Sequence, residues 1–398
     1  MRFALCSGPF LPMRHLAASL TVSTVGLAAL GAVDGAAQSP SAPSSGAPRT
    51  FTTTNRLVFG TPSDLTASIV FADVDGDGDL DALLANGRHW AQVNEVYINN
   101  GDGQFTFGYP LGPEKATSYA VPAGDIDGDG DLDVIVANDR AGIWIYVNDG
   151  RGNFQRVGSV GPEIEPARSA QLFDLDQDGD LDVIVTNRGT ANGFYLNDGR
   201  GRFGPKQAFG DPDGSTIGVA MGDIDADGDI DLVLANRDGQ ANQILVNRGN
   251  LTFDEVREFG TGSDETRAVV LADLNRDGWL DVVAANIGQP NAVYLAEAPG
   301  RFGAGIAFGG DEASYAATVA DLDQDGDLDL VVGNVQGRNA VYFNEDQARS
   351  WREVLVGEEQ ESTYGVAAAD VTGDGFPEVA FANSEALNRL FLNRPTRD

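Results

Sequence analysis

An acidic segment that recurs seven times constrains the fold of this chain more than any other feature. Its first copy runs from Asp73 to Asp81 and reads DVDGDGDLD. Further copies begin at Asp125, Asp174, Asp223, Asp273, Asp321 and Asp370. A period of about 50 residues is typical of a repeat architecture. The length of 398 residues would suggest two or three domains, but the repeat predicts one array of seven units.

Each copy lies between short apolar runs that are rich in β-branched residues, which indicates buried strands. Residues 134–137 and 330–332 are two such runs. A third strand and a Gly-rich turn leading to a fourth strand complete each unit. We therefore predict an all-β, seven-bladed β-propeller with four-stranded blades, with the acidic loops between the first and second strands. Each second strand ends at an Asn, which we expect to satisfy turn backbone rather than a ligand; these are Asn86, Asn138, Asn187, Asn236, Asn286, Asn334 and Asn383.

The two ends of the array predict how the ring closes. The last unit stops near residues 391–395 without a fourth strand, whereas residues 52–60 precede the first unit as an unassigned segment. The pair Phe59-Gly60 matches Phe259-Gly260 at the end of another fourth strand. We expect the N-terminal segment to complete the last blade, which would also remove exposed strand edges.

The first residues predict export. Residues 16–33 form an apolar run after Arg14, and residues 1–37 are interpreted as a signal peptide, with Met13 as an alternative start. A membrane anchor is the other interpretation of this run. Residues 38–50 are rich in Ser, Pro and Ala and are predicted to be a flexible linker, which leaves residues 51–398 as the propeller. The predicted location is secreted, periplasmic or cell-surface, without membrane insertion after the signal is removed.

Charge and residue usage exclude several classes of function. A net charge of -34 repels phosphate backbones, so nucleic acid is not an expected partner. The same charge favours bound cations. With one cysteine and two histidines, the chain has neither an internal disulfide nor a zinc site of the usual Cys and His type.

The acidic segment has the composition of a calcium loop. Calcium takes six to eight oxygen ligands, many of them carboxylates. In the first copy Asp73, Asp75, Asp77 and Asp81 are the predicted side-chain ligands, Asp79 offers its carbonyl, and Gly78 permits the sharp turn. Two bare carboxylates at ~4 Å repel by about 1 to 4 kcal/mol, so an empty loop of this kind is unfavourable. The helical EF-hand is excluded because its twelfth position requires Glu, where Leu84 stands here.

The seven copies differ in their predicted affinity. Five are complete, and the predicted metal residues after the first copy are Asp125, Asp127, Asp129, Asp131 and Asp133; Asp174, Asp176, Asp178, Asp180 and Asp182; Asp223, Asp225, Asp227, Asp229 and Asp231; and Asp321, Asp323, Asp325, Asp327 and Asp329. A weaker site is predicted from Asp273, Asn275, Asp277, Trp279 and Asp281, where Trp279 offers only backbone. The last copy contains Asp370, Thr372, Asp374 and Glu378, and whether it holds an ion is left open.

Candidate ligand contacts lie elsewhere in the repeat. The loop between the second and third strands is longest in the first unit and contains Arg88, His89 and Trp90. One repeat position, six residues before each acidic loop, is occupied by Tyr119, Arg168, Arg267, Tyr315 and Tyr364. These side chains suit a mouth for sugars or acidic groups, and strand packing is the equal alternative. His89 is more simply interpreted as an incidental surface residue.

The repeated Asp-Xaa-Asp-Xaa-Asp-Gly-Xaa-Xaa-Asp loop between two strands resembles the FG-GAP or VCBS repeat, as in the integrin alpha-chain propeller. The resemblance covers about residues 51–398. It implies calcium in the loops on one face of a seven-bladed propeller and ligand-binding loops on the other. Integrin-type blades mostly lack the metal motif, whereas nearly every unit has it here, which favours a bacterial-type repeat protein.

Three functions remain open from the sequence. The first is an extracellular calcium-binding module for adhesion or binding, with a protein or glycan ligand. The second is a polysaccharide-active lyase or hydrolase on a calcium-stabilised propeller. The third is a structural scaffold only. The sequence offers no defensible acid and base pair, so no catalytic residue is predicted and the enzyme ranks below the binding module.

Overall fold

The computed structural model describes residues 48–105, 107–358 and 360–396. The predicted signal peptide and most of the predicted linker lie outside the described residues. The prediction of an all-β, seven-bladed propeller is confirmed: seven antiparallel sheets are arranged in chain order. Among the described residues, no helix is long and apolar enough to cross a membrane.

Blades 1 to 3 are formed as follows, with strands 1 to 4 given in order. Blade 1 contains Thr66–Ala72, Asp81–Asn86, Glu95–Ile98 and Phe107–Pro110. Blade 2 contains Thr117–Ala120 with its continuation Ala123–Gly124, Asp133–Asp139, Ala141–Asn148 and Phe154–Glu165. Blade 3 contains Ala167–Phe173, Asp182–Asn187, Asn192–Tyr195 and Gln207–Phe209.

Blades 4 to 6 repeat this order. Blade 4 contains Thr216–Gly222, Asp231–Asn236, Asn242–Val246 and Glu255–Phe259. Blade 5 contains Thr266–Ala272, Asp281–Asn286, Asn291–Tyr294 and Ile306–Phe308, with a small hairpin of Ala296–Ala298 and Arg301–Phe302. Blade 6 contains Ala313–Ala320, Asp329–Val335, Asn339–Glu345 and Ser350–Val356.

Blade 7 confirms the predicted closure of the ring. Its own strands are Thr363–Ala369, Glu378–Asn383 and Asn388–Pro395, and the fourth is supplied by Arg49–Thr52 and Val58–Phe59. Both N-terminal segments pair with the third strand, through Phe51 opposite Asn393 and Phe59 opposite Asn388. The closing strand begins at Arg49, two residues inside the predicted linker.

Arg49 explains why the strand begins there. Its side chain is buried, donates through Nε to the Asn393 side chain at 2.8 Å, and stacks over the Phe376 ring at 3.7 Å. A buried guanidinium with such partners anchors the chain end. The partner Asn393 is 344 residues away, so the linker-like composition around Arg49 gave no sign of this contact.

The core is divided among the spaces between blades. First strands of neighbouring blades contact one another around the ring, including those of blades 7 and 1, so they surround the central axis. The first and second strands of blade 1 are buried along their whole length. Blades pack on both faces of each sheet, which is why the inner strands are nearly continuous apolar runs instead of alternating ones. Apolar clusters link successive blades, and one of them spans blades 7, 1 and 2.

Candidate metal loops and the opposite axial mouth

Each acidic segment forms a tight loop between strands 1 and 2, here called the Asp loop. In blade 1 the two oxygens of Asp73 accept from the backbone N–H groups of Gly76 at 2.8 Å and Gly78 at 3.0 Å. Gly78 has φ 95°, a conformation that favours glycine, and its counterparts in the other six loops have φ between 88° and 98°. The predicted role of Gly78 is therefore accounted for by its backbone geometry.

Five Asp loops gather carboxylates closely enough to hold a metal ion, and they are the five complete copies. In four of them the first, third and ninth residues contribute oxygens within 4.8 Å of one another; these groups are Asp73, Asp75 and Asp81; Asp125, Asp127 and Asp133; Asp174, Asp176 and Asp182; and Asp223, Asp225 and Asp231. In blade 6 the group is Asp321, Asp323 and Asp325. Carboxylate oxygens in such groups are the donors that a hard cation such as calcium takes.

Several oxygens in these loops have no protein partner. The buried Oδ1 atoms of Asp127, Asp174, Asp225 and Asp321 accept no hydrogen bond. A buried carboxylate oxygen without a donor is unfavourable, and a cation would compensate it. The donor set and these bare oxygens therefore fit calcium, and the residues that would hold it are those of the five groups.

The side chains at the fifth and seventh loop positions, Asp77 and Asp79 in blade 1, lie apart from the grouped carboxylates at positions one, three and nine. Asp77 is exposed and accepts from the Asp79 backbone at 2.9 Å, and outside blade 6 the fifth position does not join the groups. The Asp79 side chain instead approaches the turn between strands 3 and 4, where a Cβ on Gly101 would lie 2.6 Å from its Oδ2.

The ninth loop position has a structural role that the sequence did not reveal. Asp81 accepts from the Val74 backbone at 3.0 Å and from the Asn99 backbone at 2.8 Å, so it ties the loop to the end of strand 3. Equivalent pairs of bonds recur in blades 2 to 6. Burial raises the pKa of Asp81 to about 7 although both bonds oppose it, and neighbouring loop carboxylates raise it further.

The two incomplete loops form no group of three carboxylates among the described residues. In blade 5 the amide of Asn275 donates to Asp277 at 3.0 Å. In blade 7 both oxygens of Glu378 and the hydroxyl of Thr372 are buried without a hydrogen-bond partner, and burial raises the pKa of Glu378 to about 7. Arg394 forms an ion pair with Asp374 in the same loop. The last loop thus has unpaired oxygens that could bind a metal ion, and Arg394 already supplies a positive charge beside it.

The fourth loop likewise has its own cations. Asp225 lies 3.4 Å from Arg248 and 4.0 Å from Arg257. These guanidinium groups neutralise part of the negative charge that an ion would otherwise neutralise. The fourth loop would therefore hold a cation less tightly than the loops of blades 1 to 3.

Asp loops are also bonded to the next blade. The carbonyl of Val74 in the first loop accepts from the side chain of Asn148 of blade 2 at 2.7 Å. The same bond joins Ile126 to Asn197, Leu274 to Asn344, Leu322 to Asn393 and Val371 to Asn99. An ion that stiffens a loop would thereby stiffen the contact between two blades.

The opposite face is built on a repeated β-bulge near the start of strand 1. Pairing with strand 2 skips one residue in every blade, and the skipped residues are Ala67, Tyr119, Arg168, Ile217, Arg267, Tyr315 and Tyr364. A bulge re-aims the side chain of the extra residue. The sequence identified the shared position, and the structure places all seven on the inner strands. We call these residues, with the loop 87–90, the axial mouth.

Arginines and tyrosines of the axial mouth contact one another across blades. The guanidinium carbons of Arg88, Arg168 and Arg267 lie 3.5, 4.9 and 5.8 Å from ring centroids of Tyr364, Tyr119 and Tyr315, respectively. The rings of Tyr315 and Tyr364 are 5.0 Å apart, edge to face. Six of the eight predicted ligand contacts are therefore brought together.

The remaining two predicted contacts lie on the rim. The Trp90 side chain is 76% exposed, and its backbone N–H donates to the Gly87 carbonyl at 3.0 Å to close the turn. His89 is exposed, with φ 73°. Partial burial lowers the pKa of His89, and the charges of Arg88 and Arg168 act in the same direction.

A buried hydrogen-bond chain fixes the mouth residues. Asn242 of blade 4 donates to the Thr266 hydroxyl of blade 5 at 2.7 Å, and Thr266 donates to Asn286 at 2.8 Å. Thr266 directly precedes the bulged Arg267. Within the described ranges this Asn–Ser/Thr–Asn latch recurs at six of the seven junctions; its hydroxyls belong to Thr66, Ser118, Thr216, Thr266, Ser314 and Thr363.

The Asn residues at the ends of the second strands donate to carbonyls at the turns that follow, as the sequence predicted. The Asn86 side chain, for example, accepts from Thr66 at 2.8 Å and donates to the turn carbonyl of Val93 at 3.1 Å.

In the described part of the chain, the junction of blades 2 and 3 lacks the Asn–Ser/Thr–Asn latch. There the buried Glu165 bonds to Asn187 and Tyr195 and forms an ion pair with Lys206 at 2.7 Å.

A hollow of about 430 Å³ lies away from the axis, between the Asp loops of blades 3 and 4. Asp176 and Asp229 lie in its wall, with Leu196 and Leu251. It is open and mostly polar, and it brings together no basic side chains. We therefore take the axial mouth as the candidate ligand site.

The repeat matches a known protein family along most of the chain. The model of the FG-GAP-like repeat matches residues 73–136, 125–185, 174–234, 223–284, 273–332 and 321–381. Each match begins at an Asp loop and ends near the second strand of the next blade. No curated protein matches the chain.

Solved structures share the fold at low sequence identity. The crystal structure of BBS1N in complex with ARL6DN, soaked with mercury, is 13% identical with a TM-score of 0.57, covering 87% of this chain and 97% of that one. The lead-soaked crystal of the same complex is 14% identical with a TM-score of 0.60, covering 87% and 98%. At this identity the likeness concerns the fold alone.

Proposed function

Because the chain belongs to the family of FG-GAP-like repeat proteins, we propose that it is a secreted, calcium-stabilised propeller acting as a binding or adhesion module. Its protein or glycan ligand binds at the axial mouth. The observation that carries this proposal is the division of chemistry between two faces. Carboxylate groups occupy one end of the inner strands, and bulged Arg and Tyr residues occupy the other.

Calcium has a stabilising role in this proposal. Five groups of carboxylates support it, four of them with a bare buried oxygen, together with the bonds from Asp loops to the next blade. One ion at 100 times its dissociation constant stabilises the folded state by about 2.7 kcal/mol, and five such ions act together. Export, predicted from the apolar N-terminal run, would place the chain where calcium is abundant.

Calcium removal tests this role. We expect a chelator to lower the melting temperature by at least about 10 °C, and titration of the stripped protein to give about five sites, the fourth loop being weaker than those of blades 1 to 3. Replacing Asp75→Asn should remove one site. The matched control Asp213→Asn makes the same charge change at an exposed position on the mouth face and should remove none. An unchanged melting temperature after complete calcium removal would refute the stabilising role.

The binding role is tested with arrays of glycans and extracellular proteins, probed in calcium. Binding that is retained by the control Asp213→Asn but lost in Tyr364→Ala supports a ligand site in the mouth. Fold-level likeness to BBS1N, which was crystallised in complex with ARL6DN, supports including protein ligands in the screen. Ligands that bind Tyr364→Ala as well as the native chain would place the site elsewhere.

The alternative function, a polysaccharide-active enzyme, is tested by assaying the same glycan samples for reaction products. A lyase would release unsaturated products from an acidic polysaccharide, and a hydrolase would release reducing ends. The Arg and Tyr side chains of the mouth are the observation that keeps this alternative open. Stable binding without products favours the module, and steady release of either product establishes the enzyme.

A further inference from the structure

Two arginines of the axial mouth carry positive charge without a carboxylate partner. Arg168 forms an ion pair with Asp139 at 3.0 Å. Arg88 and Arg267 have no carboxylate within 4.0 Å among the described residues, and neither guanidinium donates a hydrogen bond there. In a chain with net charge -34, unpaired cations at the centre of a face are a distinct local feature. They attract an anion from outside the protein.

Tyrosine rings lie beside both guanidinium groups, and no described residue accepts a hydrogen bond from them. Arg88 lies 3.5 Å from the ring centroid of Tyr364, and Arg267 lies 5.8 Å from that of Tyr315. Contact with a ring uses the face of a guanidinium, whereas its N–H groups point outward in the plane. Those groups match the two oxygens of a carboxylate in a bidentate contact.

Burial makes the unpaired charge of Arg267 costly. Desolvation lowers the pKa of Arg267 to about 10, and the charges of Arg237 and Arg88 lower it further. A partly buried cation without a counter-charge is unfavourable, so a bound anion would relieve an existing penalty. The latch through Thr266 fixes the backbone directly before Arg267, which pre-organises the site.

We propose that the axial mouth binds the carboxylate of an acidic sugar through Arg88 and Arg267. The assignment rests on the proposed binding function and names its ligand class. Trp90, 76% exposed on the loop that carries Arg88, favours a sugar over an acidic peptide. A pyranose ring has an apolar face that packs on an exposed indole, and its hydroxyls can bond to the phenols of the mouth.

The test uses a glucuronate-terminated trisaccharide and the same trisaccharide with its carboxylate reduced to an alcohol. Calorimetry in saturating calcium measures binding to the native chain and to Arg267→Gln and Arg88→Gln. We expect each substitution, and the reduction of the sugar, to weaken binding at least tenfold. The control Arg301→Gln removes the same charge from the opposite face of blade 5, where Arg301 is largely exposed, and should leave affinity unchanged.

Several outcomes overturn the proposal. Equal affinity of the native chain and Arg267→Gln, or equal affinity for both trisaccharides, removes the carboxylate contact. If circular dichroism shows that Arg267→Gln does not fold, the affinity of Arg88→Gln, whose substitution lies on the exposed loop, tests the proposal by itself. Binding of a hexaglutamate peptide but not of the trisaccharide overturns the sugar assignment and leaves the binding module standing. Failure of every array ligand to bind at the mouth overturns the module as well.

Discussion

Removing one latch should destabilise the propeller by an amount that the structure allows us to work out. In Asn242→Ala the backbone N–H of Asn236 loses its acceptor at 2.9 Å, and the Thr266 hydroxyl loses its donor at 2.7 Å. All three residues are buried. A lost hydrogen bond costs about 1 kcal/mol, and an orphaned buried donor costs about 1 to 3 kcal/mol. Thr266 still donates to Asn286, so we expect a loss of about 2 to 4 kcal/mol.

Urea unfolding in saturating calcium measures this loss, with fluorescence and circular dichroism followed together to check that the transition is cooperative. The matched control is Gln243→Ala on the same strand. Gln243 is only partly buried, and its side chain makes no hydrogen bond with the described residues. We expect the control to change the free energy of unfolding by less than about 0.5 kcal/mol, as is usual for surface substitutions.

Unfolding of the two variants at the same urea concentration with the same slope would refute a stabilising latch. That result would mean that the latch is replaced without loss, for example by water reaching the Asn236 backbone. A change of slope alone would instead indicate a change in cooperativity between blades. Only a shifted midpoint at constant slope supports the calculated magnitude.

Two further predictions concern pH and ring closure. The folded-state pKa of Asp81 and of Asp133, about 7, lies above the ordinary value of 3.8, so the stability each contributes is full below pH 3.8 and is lost as pH rises through 7. In chelator we expect the free energy of unfolding to fall from pH 5 to pH 8 by up to about 3 kcal/mol per carboxylate, and saturating calcium to abolish the fall. A chelated protein whose stability does not depend on pH contradicts this. Arg49→Ala should lower the free energy of unfolding by about 2 to 3 kcal/mol, because a buried charge-assisted bond to Asn393 is removed. Urea unfolding measures the loss, with the exposed Arg56→Ala as the control. Equal midpoints for the two variants would contradict the anchoring role.

The blade architecture could be predicted because its signals are local and repeated. Apolar runs, the Asp loops and the Phe59-Gly60 ending all lie within one unit and recur at one period. The tertiary partners could not be predicted in the same way. The backbone N–H of Asn86 donates to the side chain of Asn94 eight residues on, whereas that of Asn187 donates to Asn192 only five residues on. Because this spacing varies with the loop, the Asn at the start of strand 3 has no fixed offset in the sequence.

The Asp loops show a second limit of sequence reasoning. Alternating carboxylates suggest that every odd position turns inward, so Asp77 and Asp81 were expected to act alike. In the structure Asp81 is buried by its bonds to Val74 and Asn99, whereas Asp77 stays exposed. The difference depends on the end of strand 3, which lies beside the loop only after the blade has folded. Ligand type is therefore predictable from the sequence, and ligand geometry is not.

The two faces are coupled through the blade junctions rather than through a direct contact. The bulged residue of each inner strand lies six residues before its Asp loop, a distance of roughly 20 Å, so an ion cannot act on the mouth by its charge alone in physiological salt. Yet the Ile224 carbonyl, in the Asp loop of blade 4, accepts from the backbone of Gly300 in blade 5 at 2.8 Å, and the latch at Thr266 joins the strand of Arg267 to blade 4. A bound ion would therefore influence Arg267 only by holding neighbouring blades in register. It follows that losing one ion should weaken the mouth most at its own two junctions, and much less across the axis.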